Sequence, residues 1–329
     1  MQKIIFFTDV HDTSRTPRYR KDNFHETILC KLKWIGQYAA DNDADIVFGG
    51  DFFNTPGVSN STVGDVLKVL SGFDRPIYAI AGNHDLYGNN SFNVEKTGIG
   101  LLIASDYVRN ISDHWTRLGD VNLYGLESRM GIDSNAELHL NLPNVPSDGI
   151  NILVSHSMIL QKKKSIMSCI GIEELENCPA DIILSGHDHA GFGVIHKGNK
   201  YFCNPGALGR VTTSTSDVNL QVKIAEIVID NEGVFSVRLV PLPEDIAKPA
   251  SEVLDVETAH QEKEAMIAAQ QWTSKMGRVN SVGVLNEEQL VDKFIAELGF
   301  AKTVKDLFYQ YFGEAKEQMK NGEDASDIF

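Results

Sequence analysis

Cysteine is scarce in this chain and never clustered. Cys30, Cys169, Cys178 and Cys203 are scattered over 329 residues with no CxxC pair, so they read as reduced thiols of a cytoplasmic protein. No apolar run approaches the roughly 20 residues that span a bilayer. Met1-Gln-Lys-Ile-Ile5 enters the first apolar run at once, so no signal peptide and no membrane partner are expected. Positive charge is in deficit, with 30 Lys and Arg against 45 Asp and Glu and a net charge of −15. That balance argues against blanket attraction to nucleic acid, although two divalent ions and a local basic rim could still draw it in. A GxSxG nucleophile elbow, internal repeats and low-complexity tracts are all missing.

What the chain does have is a series of apolar runs, each ending at once in a residue that binds metal. Asp9-Val10-His11 follows the first run, Gly50-Asp51 the second and Gly82-Asn83-His84-Asp85 the third. His156 follows Asn151–Ser155, and Gly186-His187-Asp188-His189 follows Asp181–Ser185. Ligands at the C-terminal ends of strands are where open α/β sheets place their sites. Asp9, His11, Asp51, Asn83, His156, His187 and His189 make seven donors. One zinc-like ion takes three or four protein ligands, so seven donors fill two sites if one carboxylate bridges. Asp51 is the expected bridge, its two oxygens serving the two ions, while Asn83 offers only its amide oxygen. Nitrogen and oxygen donors without thiolate suit Mn²⁺ first, with Fe²⁺, Zn²⁺ or Mg²⁺ as other candidates.

In this order, DxH, GD, GNHD, a lone His after an apolar strand and GHxH resemble the calcineurin-like metallophosphoesterase superfamily across residues 9–189. The resemblance implies a four-layer α/β/β/α sandwich. It implies one metal held by Asp9, His11, Asp51 and His189, and a second held by Asp51, Asn83, His156 and His187. It places His84 beside the scissile phosphate as the acid that protonates the leaving oxygen, with Asp85 orienting it. Two cations about 3.5–4 Å apart neutralise phosphoryl oxygens and acidify a water. A leaving alkoxide needs a proton, which an imidazole can supply. The implied reaction is two-metal phosphodiester hydrolysis. His25, His114, His139, His196 and His260 are assigned no role.

Strands are expected at 3–8, 45–49, 76–81, 120–126, 150–155 and 181–185, with helices at 25–40 and 59–71, giving a largely parallel sheet. Tyr201–Cys203, 220–230 and 233–242 read as a closing antiparallel set, with Asn231-Glu-Gly233 as a hairpin turn. Pro241, Pro243 and Pro249 mark a boundary. The catalytic domain is therefore expected at 1–245 and a helical region at 246–329, with helices at 252–275, 287–298 and 302–319. Residues 287–319 read as a hairpin, with Phe294, Phe308 and Tyr311 as anchors for a partner.

GNHD, the chain length and the appended helices resemble SbcD-type DNA repair nucleases of bacteria or bacteriophages. This implies a DNA exonuclease or endonuclease subunit working with an SbcC-like coiled-coil ATPase; homodimerisation is left open. Arg15, Arg18, Arg20 and Lys21 follow His11, and Lys162, Lys163 and Lys164 follow His156. Cations beside the ligand blocks are expected to hold a phosphate backbone without reading sequence. Asn204-Pro205-Gly206-Ala207-Leu208-Gly209-Arg210 instead resembles the NPGS block of small phosphodiesterases, and Arg210 joins the substrate-contact set. The alternative function is thus hydrolysis of a small or cyclic-nucleotide phosphodiester. A metal-binding assembly subunit without catalysis is a third reading, and intact His84 argues against it.

Overall fold

The computed structural model describes residues 1–279 and 302–321. The chain divides into two compact units, Met1–Leu254 and Asp255–Phe329.

Period-two alternation decides how the first unit is layered. In β1 (Gln2–Phe7), Ile5 and Phe7 point to one face and Ile4 and Phe6 to the other, and all four are fully buried. Such a strand needs cover on both sides. Helices α1 (Phe24–Asp41) and α2 (Asn60–Leu70) supply it on one side, through Ile28, Leu32 and Ile35 of the first and Val63, Val66 and Leu70 of the second. Each starts on a side-chain cap: Asn23 accepts from Glu26 N, and Ser59 accepts from Thr62 N. β1, β2 (Ala44–Phe48), β3 (Ile77–Ala79) and β4 (Val108–Asn110) pair in parallel, and α3 (Gly98–Ala104) leads into β4.

The chain then builds a second sheet. It uses β5 (Trp115–Leu118), β6 (Val121–Leu126), β7 (Ile150–Ser155), β10 (Ile182–Ser185), β11 (Gly193–Lys197) and β12 (Lys200–Asn204). The short α4 (Glu137–Leu140) lies between β6 and β7, while β8 (Ile159–Leu160) and β9 (Ile170–Gly171) pair with each other. After α5 (Thr215–Asn219), the chain returns to the first sheet: β13 (Lys223–Ile229) pairs antiparallel with β1, and β14 (Phe235–Pro241) pairs antiparallel with β13. Strand order is β14-β13-β1-β2-β3-β4 in one sheet and β11-β12-β10-β7-β6-β5 in the other. Between the sheets, Ile4, Phe6 and Val47 meet Leu123, Ile152 and Leu184. The outer face of the second sheet, with Leu153, Ile183 and Phe202, is covered by Ile132, Leu142, Ile172 and Leu175. The α/β/β/α sandwich is therefore present, with a thin outer layer on the second sheet.

Three expectations change. Both sheets are mixed: in each, three of the five strand pairings are parallel and the other two antiparallel. The three closing strands do not form one set. β12 lies in the second sheet, parallel to β10 and antiparallel to β11, whereas β13 and β14 extend the first. Residues 246–254 stay with the first unit, because Leu242 and Ala247 join its core and α6 (Ala250–Val253) packs with Leu254. Lys21 N also donates to Val253 O at 3.0 Å.

In the second unit, α7 (Val256–Val279) and α8 (Lys302–Asn321) pack on each other. Ala259, Ala265, Val304 and Phe308 are buried, which removes Phe308 from any exposed docking face. The helix expected at 287–298, with Phe294, lies outside the described residues. No helix among the described residues is long and apolar enough to cross a membrane. The four thiols are free, Cys30 exposed and the others buried.

Candidate metal centre

The five motif blocks converge at the C-terminal edges of both sheets. Asp9 and His11 follow β1, Asp51 follows β2 and Asn83 follows β3; His156 follows β7, and His187 and His189 follow β10. The chain must turn sharply as each strand ends. Asp9, His11, Asp51 and His187 all adopt left-handed backbone angles, with φ of 53°, 51°, 59° and 75°. Non-glycine residues there cost about 1–3 kcal/mol each and persist where their surroundings over-determine them. The turns are stitched by main-chain bonds: Asp9 N donates to Gly50 O at 3.0 Å, and His11 N to Asp51 O at 3.0 Å. Gly82 is required by contact, since a Cβ there would lie 2.0 Å from Asp51 Oδ1.

Two donor clusters result, Asp9–His11–His189 and Asp51–His156–His187. In the first, His11 Nε2 lies 2.9 Å from His189 Nε2 and 3.8 Å from Asp9 Oδ1. In the second, His156 Nδ1–H donates to Gly49 O at 2.8 Å, which turns Nε2 inward. That Nε2 lies 3.3 Å from Asp51 Oδ2 and 3.2 Å from Asn83 Oδ1. Asp51 joins the clusters through one oxygen rather than two. Its Oδ1 accepts from His84 N at 2.8 Å, while Oδ2 faces both His156 Nε2 and, at 3.6 Å, His11 Nε2.

This set fits divalent ions. Asp51 Oδ2 is buried with no hydrogen-bond partner among the described residues, a costly state for a carboxylate oxygen unless a cation completes it. The electrostatics differ between the two clusters. Burial pushes the His11 imidazole down to about 4, so its ring is neutral and can ligate. Burial also opposes charge on His156, but the Asp51 carboxylate overrides it and pushes that imidazole up to about 10, so the proton facing Asp51 Oδ2 must leave before Nε2 can ligate. Burial disfavours the Asp51 carboxylate as well, yet His156 and His11 hold it below the usual carboxylate range.

His84 is exposed at the mouth of the site. Its Nδ1–H donates to Asn54 O at 2.9 Å, and its ring stands edge-on to His11 with centroids 4.8 Å apart. It also forms a third close group with His11 and Asp51. Asp85 does not orient His84. It is fully buried and accepts from the backbone nitrogens of Phe52, Phe53 and Gly82 at 3.1, 3.0 and 3.0 Å. Burial, reinforced by Asp51, pushes its carboxyl up to about 7. Asp85 ties the turn after β3 to the turn after β2, and the carbonyl of Asn54 takes the orienting role.

The expected phosphate contacts divide sharply. Arg20 is buried and paired with Asp22 at 2.6 Å. Arg210 is also buried, its guanidinium donating to Lys248 O and Leu220 O. Both are structural, because a buried guanidinium bound to fixed acceptors has no face left for substrate. Lys21 Nζ donates to Ser251 O at 2.9 Å, and Lys163 Nζ pairs with Glu174 at 2.8 Å. Arg18 lies over the Tyr19 ring, 5.5 Å from its centroid. Arg15, Lys162 and Lys164 are exposed on the loops after His11 and His156. The Asn204–Arg210 block proves to be a brace. Ala207 N donates to His189 O, Leu208 N to Thr8 O and Gly209 N to Asp9 O, each at 3.0 Å.

Sequence reasoning missed Asp133, whose Oδ2 lies 3.6 Å from His187 Nε2, and His139, buried against Ser155 and Ser157. Neither carries a motif. His139 sits in a four-residue helix of otherwise ordinary sequence.

The pattern of the calcineurin-like phosphoesterases matches residues 2–191, more than half of the chain, and the chain belongs to that family. With its paired Asp/His clusters it is a metal-dependent hydrolase of phosphoester bonds. Among solved structures it is similar to a 5'-nucleotidase precursor from Thermus thermophilus, with 10% identity over 84% of this chain and 59% of that one at a TM-score of 0.39. It is also similar to a 5'-nucleotidase from Candida albicans, with 15% identity over 75% and 53% at a TM-score of 0.40. The chain thus spans little more than half the length of these two structures. No curated protein matches it significantly.

Proposed function

We propose that this phosphoesterase cleaves small phosphodiesters, of the size of a cyclic nucleotide, with His84 as the proton donor. The carrying observation is the state of the cations around the site. Arg20, Lys21, Lys163 and Arg210 are bound to protein groups, and the chain as a whole carries −15. A polyanion needs several free cations along its backbone; a single phosphodiester needs only the metal centre. Asp9, His11, Asp51 and His189 would hold one ion and Asp51, Asn83, His156 and His187 the other. The ions would supply positive charge for the phosphoryl oxygens and acidify a water. Asn54 O holds Nδ1–H of His84, so Nε2 is the atom free to deliver a proton to the leaving oxygen. Exposure of His84 at the mouth lets it follow leaving groups of different size.

A second reading, a DNA nuclease allied with an SbcC-like ATPase, is favoured by exposed Arg15, a few residues after His11, and by exposed Lys162 and Lys164 on the loop between β8 and β9, a few residues after His156. One experiment separates the two. Mn²⁺-loaded protein is assayed on bis(p-nitrophenyl) phosphate, on 2',3'-cyclic nucleotides, and on single- and double-stranded DNA. The main reading expects turnover of the first two and none of DNA. Robust DNA cleavage that falls in an Arg15→Ala, Lys162→Ala, Lys164→Ala variant while bis(p-nitrophenyl) phosphate turnover holds would transfer the proposal to the nuclease.

A further inference from the structure

The stretch between β6 and β7 contains none of the five motif blocks, yet it touches His187 of the second ion's cluster and both chain neighbours of His156. Asp133 is held from one side, its Oδ1 accepting from Met158 N at 2.7 Å. Its Oδ2 then faces Nε2 of His187 at 3.6 Å. A few residues on, fully buried His139 places Nε2 2.9 Å from Ser157 Oγ and 3.0 Å from Ser155 Oγ, the residues on either side of His156. One short stretch of chain thus braces His156 through its neighbours and His187 through its ring.

An imidazole has two nitrogens, and a carboxylate beside one of them keeps the proton there, so the lone pair is left on the other. Such outer carboxylates orient metal-binding histidines and raise their basicity, and losing one typically weakens metal binding by about 10–100-fold. We propose that Asp133 is a positioning residue for the second metal site: its negative charge, 3.6 Å from Nε2, keeps the proton of His187 on that nitrogen, leaves the other ring nitrogen for the ion, and thereby sets the affinity of that site. The inference rests on the two-ion reading of the centre. The carboxylate reaches the ligand from a loop that the GHxH block does not contain, so affinity at the second site can vary independently of the ligands themselves.

The test uses the full chain and its Asp133→Ala, Asp133→Asn and Asp133→Glu variants. Mn²⁺ titration by calorimetry gives stoichiometry and affinity, the melting temperature of the metal-free protein controls for folding, and ¹⁵N signals of the His187 ring in the Zn²⁺ form report which nitrogen is protonated. The expected result is two ions in the wild type. Asp133→Ala should weaken one of them about 10–100-fold, with the other unchanged, a similar metal-free melting temperature and a loss of the single-tautomer ring signal. Asp133→Glu should restore much of the affinity. Two intact affinities with an unchanged ring signal in Asp133→Ala would overturn the proposal. So would a missing ion at saturating Mn²⁺ in Asp133→Asn, which would make Asp133 a ligand. A wild type that binds a single ion would instead bring down the two-ion reading.

Discussion

At Asp51 one oxygen is committed and the other is not: Oδ1 accepts from His84 N, and Oδ2 faces both histidine clusters with no hydrogen-bond partner among the described residues. Asp51→Asn keeps the shape but removes the charge, so it should deplete both ions together. Elemental analysis checks this, and one ion retained with full activity would remove Asp51 as the bridge. His84→Ala should keep both ions yet lose about 10²–10⁴-fold on a substrate with a poor leaving group. The loss should shrink for p-nitrophenolate, which leaves without a proton. Equal losses on both substrates, or a lost ion, would place His84 among the ligands. Farther from the site, Lys31 is fully buried, with Nζ donating to Leu208 O at 2.7 Å. Burial, joined by the guanidinium groups of Arg210 and Arg20, pushes its ammonium down to about 7. The unfolded chain keeps that proton to about pH 10.4, so between these values the unfolded state binds more protons and stability rises with pH. Lys31→Met should abolish that rise. Melting temperatures measured from pH 7 to 10 test it, and parallel profiles for the two proteins would refute it.

At the scale of elements, the ligands were legible because each one ends an apolar strand, and burial makes such strands nearly continuous runs. So were β12, β13 and β14 as strands, but the two edge strands of the second sheet were not. β5 and β11 are short and largely half-exposed or exposed, so they lack the alternation that marks a strand. The partners of Lys21, Lys163 and Arg210 are tertiary or main-chain groups, and Arg20 adds the distant carbonyl of Arg210 to its neighbour Asp22, so a run of cations on paper cannot reveal which of them is already bound. Asp133 was invisible for the same reason, since its contact with His187 spans 54 positions of chain (187 − 133). The turns themselves are a prediction. A Cβ at residue 82 would lie 2.0 Å from Asp51 Oδ1 and 2.4 Å from Asp51 N, both rigid neighbours. Gly82→Ala should therefore displace Asp51 and cut metal content sharply while circular dichroism stays native. Normal metal content in this variant would mean that the turn after β3 can yield.

For the whole molecule, the two compact units make a boundary that can be tested. A chain ending at Leu254 keeps Ala247, Val253 and the carbonyl acceptors for Arg210 and Lys21, so it should melt as a single folded unit and bind metal. A chain ending at residue 245 loses them and should melt well below it or aggregate. Similar melting temperatures for the two would return the boundary to the prolines. The sandwich carries one more consequence. Each donor cluster, taken with Asp51, draws on both sheets, Asp9, His11, Asp51 and Asn83 coming from one and His156, His187 and His189 from the other. A bound ion is therefore a rivet across the seam, adding about 2.7 kcal/mol at a free concentration one hundred times its dissociation constant. Metal scarcity would then do more than idle the enzyme: with the rivets gone the sheets part more readily, proteases find the open chain, and the cell's stock of the protein falls along with its activity.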